Sequence, residues 1–363
     1  MKNLRYEKLN NLLKTWYKDK SQDENLLRSL YAYCNLEEHE LVDRSENLKK
    51  GTNYTQLSTK DFVEMFEAEK FSSLDKDELK HLFQELHNRY MAGKGYEVTR
   101  NVAVVSDSSQ SAYGYVNTCD DLMFINKYAI DKAKNEDTKN NFNGTNIGYS
   151  LLYILSHESQ HVAQFESTID YALNKKQDDE TAFTACLMEI ERANMACDDA
   201  NGEITFLFNW KTNYDYQFIE HNANFSAFKT AQNMIPKDKQ KGKSFDQYNA
   251  FVTLLALRDN PSLVKDPTEF IEKRIKKMEE FTRFEIDYFN EKITDCPLKT
   301  KMLETVNSFM EVDENGNSKF RDKLKKEILE MVEVSKASRR NLFDERKKSK
   351  TKNENKEALT LTL

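Results

Sequence analysis

Four prolines and nine glycines in 363 residues leave this chain few places to break a helix. A sandwich or barrel of many short strands needs turn residues every ten positions or so, and is excluded by that scarcity. Cysteine is equally thin: Cys34, Cys119, Cys186, Cys197 and Cys296 are odd in number, widely spaced and without a C-x-x-C pair. Reduced thiols are expected rather than a disulfide framework. No stretch approaches the roughly eighteen apolar residues of a membrane span, and the first residues, Met1-Lys-Asn-Leu-Arg-Tyr-Glu-Lys, lack the apolar core of a signal peptide. A cytoplasmic protein with no membrane contact is the expectation. Excess positive charge is missing too: the net charge is −7, and with no nucleic-acid module in the chain nucleic acid is not an expected partner.

What remains abundant is Leu, Lys, Glu and Asn in helical patterns. Residues 1–95 carry several, including 3–18, 22–34, 59–69 and 76–90, the last with an apolar face of Leu79, Leu82, Phe83, Leu86 and Tyr90. Gly93-Lys-Gly95 punctuates its end. Strand signals then appear: Asn101-Val-Ala-Val-Val105, and two runs, 112–117 and 122–126, separated by four polar or small residues as in a β-hairpin. Helices return over about 244–334, with Phe251, Leu254 and Leu255 in one and Ile271, Ile275, Met278, Phe281, Phe284 and Tyr288 in another. The expected fold class is mainly α with a small β-sheet (α+β). Its expected parts are a helical region at 1–95, a core at 96–235, a second helical region at 236–335 and a charged, flexible tail at 336–363, disordered or a solvated helix end.

Histidine is scarce as well, six in all, yet two of them stand four residues apart in His157-Glu-Ser-Gln-His161. Composition alone yields such an H-E-x-x-H in roughly one chain in a hundred, so context must decide. Ile147, Leu151, Ile154 and Leu155 before it, and Val162, Ala163 and Phe165 after it, keep a period near 3.6. That predicts a buried helix from 146 to about 168, behind a turn at Asn143-Gly-Thr145. On such a helix both imidazoles share a face and can hold one divalent ion, with Glu158 placed to handle a water's proton. His39, in an acidic stretch, is expected in solvent, and His81 and His87 are not read as ligands.

The third ligand must come from elsewhere. Glu220 lies among Tyr216, Phe218, Ile219, Ala223, Phe225 and Ala227, which predicts a buried helix with room for an ion beside Ala223. Glu180, Glu189 and Glu191, on a helix expected at 179–197, and His221 compete with it.

Strand, hairpin with a G-Y-x-N then F-I-N cadence, H-E-x-x-H helix and a later Glu220-His-Asn-Ala-Asn224 segment together resemble the zincin metallopeptidases, specifically the gluzincin type. The likeness covers about residues 96–235. It implies a zincin-like core with one catalytic Zn2+ held by His157, His161 and Glu220, Glu158 as general base, and a protein or peptide substrate. Tyr214, Tyr216 and His221 are candidates to stabilise an oxyanion only through nearness to Glu220, and Asn224 is a candidate second-layer partner of a ligand. The edge of the small sheet would hold an extended peptide. Manganese, iron or cobalt would also suit such ligands. Two other functions fit the residues: an inactive zincin-like sensor or interaction module, which has little need for Glu158, and a hydrolase of a non-peptide amide, which has little need for an edge strand.

Overall fold

The computed structural model describes residues 54–96, 100–109, 113–117, 122–131, 147–173, 175, 178–201, 214–257, 266–292, 295 and 297–360. Helices α1 (Thr59–Glu64), α2 (Ala68–Ser73) and α3 (Lys76–Gly93) precede strands β1 (Asn101–Val105), β2 (Gly114–Asn117) and β3 (Leu122–Asn126). Then follow α4 (Ile147–Ala172), α5 (Asp179–Asn201), α6 (Phe218–Met234), α7 (Lys243–Leu257), α8 (Pro267–Lys292), α9 (Pro297–Met310) and α10 (Lys319–Thr360). The protein is mainly helical with one small three-stranded sheet, the α+β class read from composition. The expected helices at 3–18 and 22–34, His39 and the turn at 143–145 lie outside the described residues.

Sequence chemistry accounts for α3 at both ends. Asp75 accepts from the backbone N–H of Asp77 and Glu78 while its own N–H donates to Glu78 Oε2, a reciprocal cap. At the other end Gly95 takes φ +81°, its N–H donating to Ala92 and that of Tyr96 to Met91. This is the glycine-dependent stop that satisfies two terminal carbonyls.

The sheet order is β1-β3-β2, with β1 parallel and β2 antiparallel to β3. The hairpin register pairs Gly114 with Ile125 and Asn117 with Leu122. Asn126 donates its N–H to the Tyr113 carbonyl, so by the antiparallel alternation the main-chain groups of Gly114 and Val116 point outward from the open edge of β2. Val102, Val104, Met123 and Ile125 are buried on one face, and on the other the rings of Tyr115 and Phe124 stack as a cross-strand pair.

Helix α4 is the hub. It packs against α3, α5, α6 and β2, burying Leu151, Leu152, Leu155, Val162, Phe165 and Ile169. One continuous apolar core runs from Tyr54 to Val332 and includes side chains from every region expected from sequence except the tail. No described helix is long and apolar enough to cross a membrane.

One expectation needs correction. The single helix read at 59–69 is two, because the chain turns at Met65–Glu67 where α4 crosses it; a Cβ built on Gly148 would lie 2.0 Å from the Phe66 carbonyl oxygen. The charged tail at 336–363, for which disorder and a helix end are both expected, continues α10 as far as Thr360. That segment contains no Gly or Pro and is rich in Lys, Glu and Arg, which favour helix. Its first part is also packed: Ser335 and Ser338 are buried, Ser338 receives Asn249 Nδ2, and Asn341 donates to Asp246 on α7.

Candidate metal centre

The face of α4 turned to α6 carries polar groups in an otherwise apolar helix. Across it, Tyr153 donates to Asn224, Gln160 to Asn222, and Gln164 to both Asn222 and the Ile219 carbonyl. These contacts fix the register that brings Glu220 opposite the two histidines. His157 and His161 stand with Nε2 atoms 3.0 Å apart and ring planes at 87°. Glu220 sets one carboxylate oxygen 3.4 Å from each, Oε2 toward His157 and Oε1 toward His161. Among the described residues this is the one group of three or more His, Cys, Asp or Glu side chains arranged to hold a metal ion.

The two 3.4 Å approaches run to different oxygens of Glu220 and the imidazole nitrogens lie 3.0 Å apart, so that one ligand atom from each residue lies within 4.8 Å of the others, a triangle close enough to share one ion. Neither 3.4 Å separation is as short as the roughly 2.7–2.9 Å of a charge-assisted hydrogen bond. Nitrogen and carboxylate donors of this kind suit zinc.

Glu158 lies beside the triangle, half-buried against β2. The outward N–H of Val116 donates to its carboxylate, and burial, aided by the charge of Glu220, pushes its pKa up to about 7 against the opposing pull of His161. A Cβ built on Gly114 would crowd Ile125 Cδ1 at 3.2 Å and the Phe124 carbonyl oxygen at 3.3 Å, and would only touch Glu158 Cγ, at 3.5 Å.

Of the other carboxylates considered, Glu180 bonds to Lys323 on α10 and Glu189 is buried in α5. The side chains of Glu191 and Tyr214 lie outside the described set. His221, a candidate for the oxyanion, is fully buried and turned to Glu327 on α10 at 3.1 Å. That corrects its proposed role: its ring serves an interhelical bond. Tyr216 is committed elsewhere too, its hydroxyl receiving Lys277 at 3.0 Å and its ring lying under Lys277 and Arg274 of α8. Asn224, a candidate partner for a ligand, instead accepts the Tyr153 hydroxyl at 2.6 Å.

Sequence reasoning missed the amides. Gln164 Oε1 lies 2.9 Å from His161 Nδ1, and Gln160 accepts from Tyr90 and Ser226. Their spacing was the available signal, since Gln160 and Gln164 repeat three residues after His157 and His161 on the same buried face.

Behind α4, His87 is buried at 1 % exposure, bonded through Nδ1 to Ser159 Oγ and accepting the Arg100 N–H at Nε2. Desolvation, reinforced by the Arg100 charge, lowers its pKa to about 3. The unfolded chain, with a value near 6.5, therefore takes up a proton between pH 6.5 and about 3 that the folded chain refuses. Stability should fall with pH across that window and be unaffected by this group above it, with a penalty of about 3 kcal/mol at pH 4. Between pH 7 and pH 4 wild type should lose about 3 kcal/mol relative to His87→Gln, which keeps an acceptor for Arg100, read as a change in the difference between their urea midpoints; parallel pH profiles would refute it.

Compared with models of known protein families, with curated proteins and with solved structures, the chain matches none.

Proposed function

We propose that the protein is a zinc-dependent peptidase whose substrate is an extended segment of a protein or peptide. The observation that carries this is the convergence of His157, His161 and Glu220 to within 4.8 Å of one another, with Glu158 beside them. A bound Zn2+ would supply a polarised carbonyl and an acidified water. The residues of the chain supply the rest. His157 and His161 offer neutral nitrogen donors, and Glu220 offsets part of the ion's charge. Glu158, beside the three ligands, is suited to take a proton from water and deliver it to the leaving amine. The outward N–H and carbonyl of Gly114 and the carbonyl of Val116, whose N–H serves Glu158, provide a strand edge along which an extended substrate can lie. This edge, and the retained Glu158, favour a peptidase over a small-amide hydrolase and over an inactive metal-binding module.

The test uses zinc-loaded wild type and Glu158→Gln on a library of unstructured peptides, with new termini identified by mass spectrometry and metal content measured in parallel. Glu158→Gln is expected to keep its metal and lose cleavage by ~10²–10⁴-fold. A metal-loaded wild type that generates no termini, or a variant that cuts equally fast, would overturn the assignment.

A further inference from the structure

The two imidazoles of the pair are held differently. Among the described residues His157 Nδ1 is buried without a hydrogen-bond partner, whereas His161 Nδ1 faces Gln164 Oε1 at 2.9 Å. Which end of the Gln164 amide faces the histidine is decided by its other contacts. Gln164 is fully buried, and its second amide atom lies 2.9 Å from the main-chain carbonyl of Ile219. A carbonyl oxygen only accepts, so that atom is the NH2 group, and the amide oxygen is left toward His161. An oxygen there also only accepts, so His161 carries its proton on Nδ1 and presents a bare lone pair at Nε2, the atom of the triangle.

The same NH2 group donates to Asn222 Oδ1 at 2.9 Å, and Gln160 Nε2 donates to that oxygen from the other side, also at 2.9 Å. Gln160 is oriented in turn, its carbonyl accepting the Tyr90 hydroxyl at 2.6 Å and Ser226 Oγ at 3.2 Å. Asn222 thus receives two amides one helical turn apart on α4 and holds both.

We infer that Gln164, anchored by Asn222 and the Ile219 carbonyl, is a positioning residue that fixes the tautomer and ring orientation of His161 for metal binding. This rests on the metal-centre assignment for its purpose and on hydrogen-bond geometry alone for its content. A metal-ligating histidine whose other nitrogen loses its partner binds its ion ~10–100-fold more weakly. Gln164→Leu removes the acceptor and both donors. Asn222→Ala leaves Gln164 in place with one anchor lost, and Asn222→Asp keeps an oxygen to receive both amides.

Two readouts separate positioning from general loss of structure. In metal-free protein labelled with 15N-histidine, at a pH where the ring is neutral, the nitrogen shifts of His161 report the Nδ1–H form in wild type and Asn222→Asp, and a tautomer mixture in Gln164→Leu. Zinc affinity by chelator competition falls ~10–100-fold in Gln164→Leu, less in Asn222→Ala, and recovers to within about twofold of wild type in Asn222→Asp. Should Gln164→Leu fail to fold, the Asn222 pair decides. An Nε2–H form in wild type overturns the inference, and so does wild-type affinity in Gln164→Leu or in Asn222→Ala. If wild type binds no zinc, the proposed function falls while the tautomer measurement still tests the relay. A wrong tautomer with zinc bound sinks the relay alone.

Discussion

Dialysed free of metal and titrated with Zn2+ at neutral pH, the protein will bind one equivalent, and His157→Ala, His161→Ala and Glu220→Ala will each bind far more weakly. A four-ligand structural zinc site is worth roughly 10–16 kcal/mol, or about 3–4 kcal/mol per ligand, so losing one ligand should weaken affinity on the order of 10²–10³-fold. Glu220→Ala should be no milder than the histidine variants. Glu220 is 6 % exposed and serves both imidazoles, so its loss opens the site on two sides. Zinc at a hundred times its dissociation constant should also stabilise the folded chain by about 2.7 kcal/mol, a rise in thermal midpoint that the ligand variants lack. A wild type that binds nothing, or a Glu220→Ala variant with unchanged affinity, would remove the basis for a metal centre here.

The parts of this centre that could be read from sequence were those fixed within one helix. The period of Ile147, Leu151, Ile154, Leu155 and Val162 determines which face of α4 is buried, and that places His157 and His161 together. α3 was legible for the same reason, its face and its capping residues being local. Glu220 was legible less directly, through the apolar character of its neighbours. One residue further the method failed. A helix rotates about 100° per residue, so His221, adjacent in sequence to Glu220, points to Glu327 on another helix. Nearness along the chain is a poor guide to convergence in space, and Tyr216, just before α6, is likewise turned to Lys277 of α8. The spacing of Gln160 and Gln164 from the two histidines was there to be read, but their anchor was hidden, because Gln164 and Asn222 are 58 residues apart and a polar pair joined by tertiary packing leaves no period in the sequence. The tail was left between disorder and a helix end because a charged segment without turn residues suits either; what decides its first part is the packing of Ser335, Ser338 and Asn341, which composition does not contain.

Adding one methyl group at Gly148 should destabilise the protein, against the usual helix preference for alanine. Gly148 is the second residue of α4, where the helix crosses the turn between α1 and α2. A Cβ there would lie 2.0 Å from the Phe66 carbonyl oxygen, 2.8 Å from its carbon and 3.0 Å from its Cα. These are backbone atoms and cannot rotate aside, so the crossing itself must open. Within a helix, alanine normally gains about 1 kcal/mol over glycine, but overpacking against fixed atoms typically costs 1–3 kcal/mol or more. The steric term should win, and Gly148→Ala should lose about 2 kcal/mol or more of stability by urea unfolding. Gly93→Ala is the matched control: it is exposed near the end of α3, with nothing within 4 Å of the added carbon, and should be neutral or slightly stabilising. The effect should reach the metal centre as well. His157 follows Gly148 by nine residues, about 13.5 Å along the same rigid helix, so a shift at the crossing displaces both imidazoles relative to Glu220 on α6. Bonds of about 2 Å tolerate little of that. Zinc affinity should therefore fall in Gly148→Ala and not in Gly93→Ala. If Gly148→Ala folds with wild-type stability, α4 does not cross the α1–α2 turn as closely as described. If it is destabilised yet binds zinc as wild type does, the position of α4 against α6 is set by the contacts between those two helices and not by the crossing at Phe66.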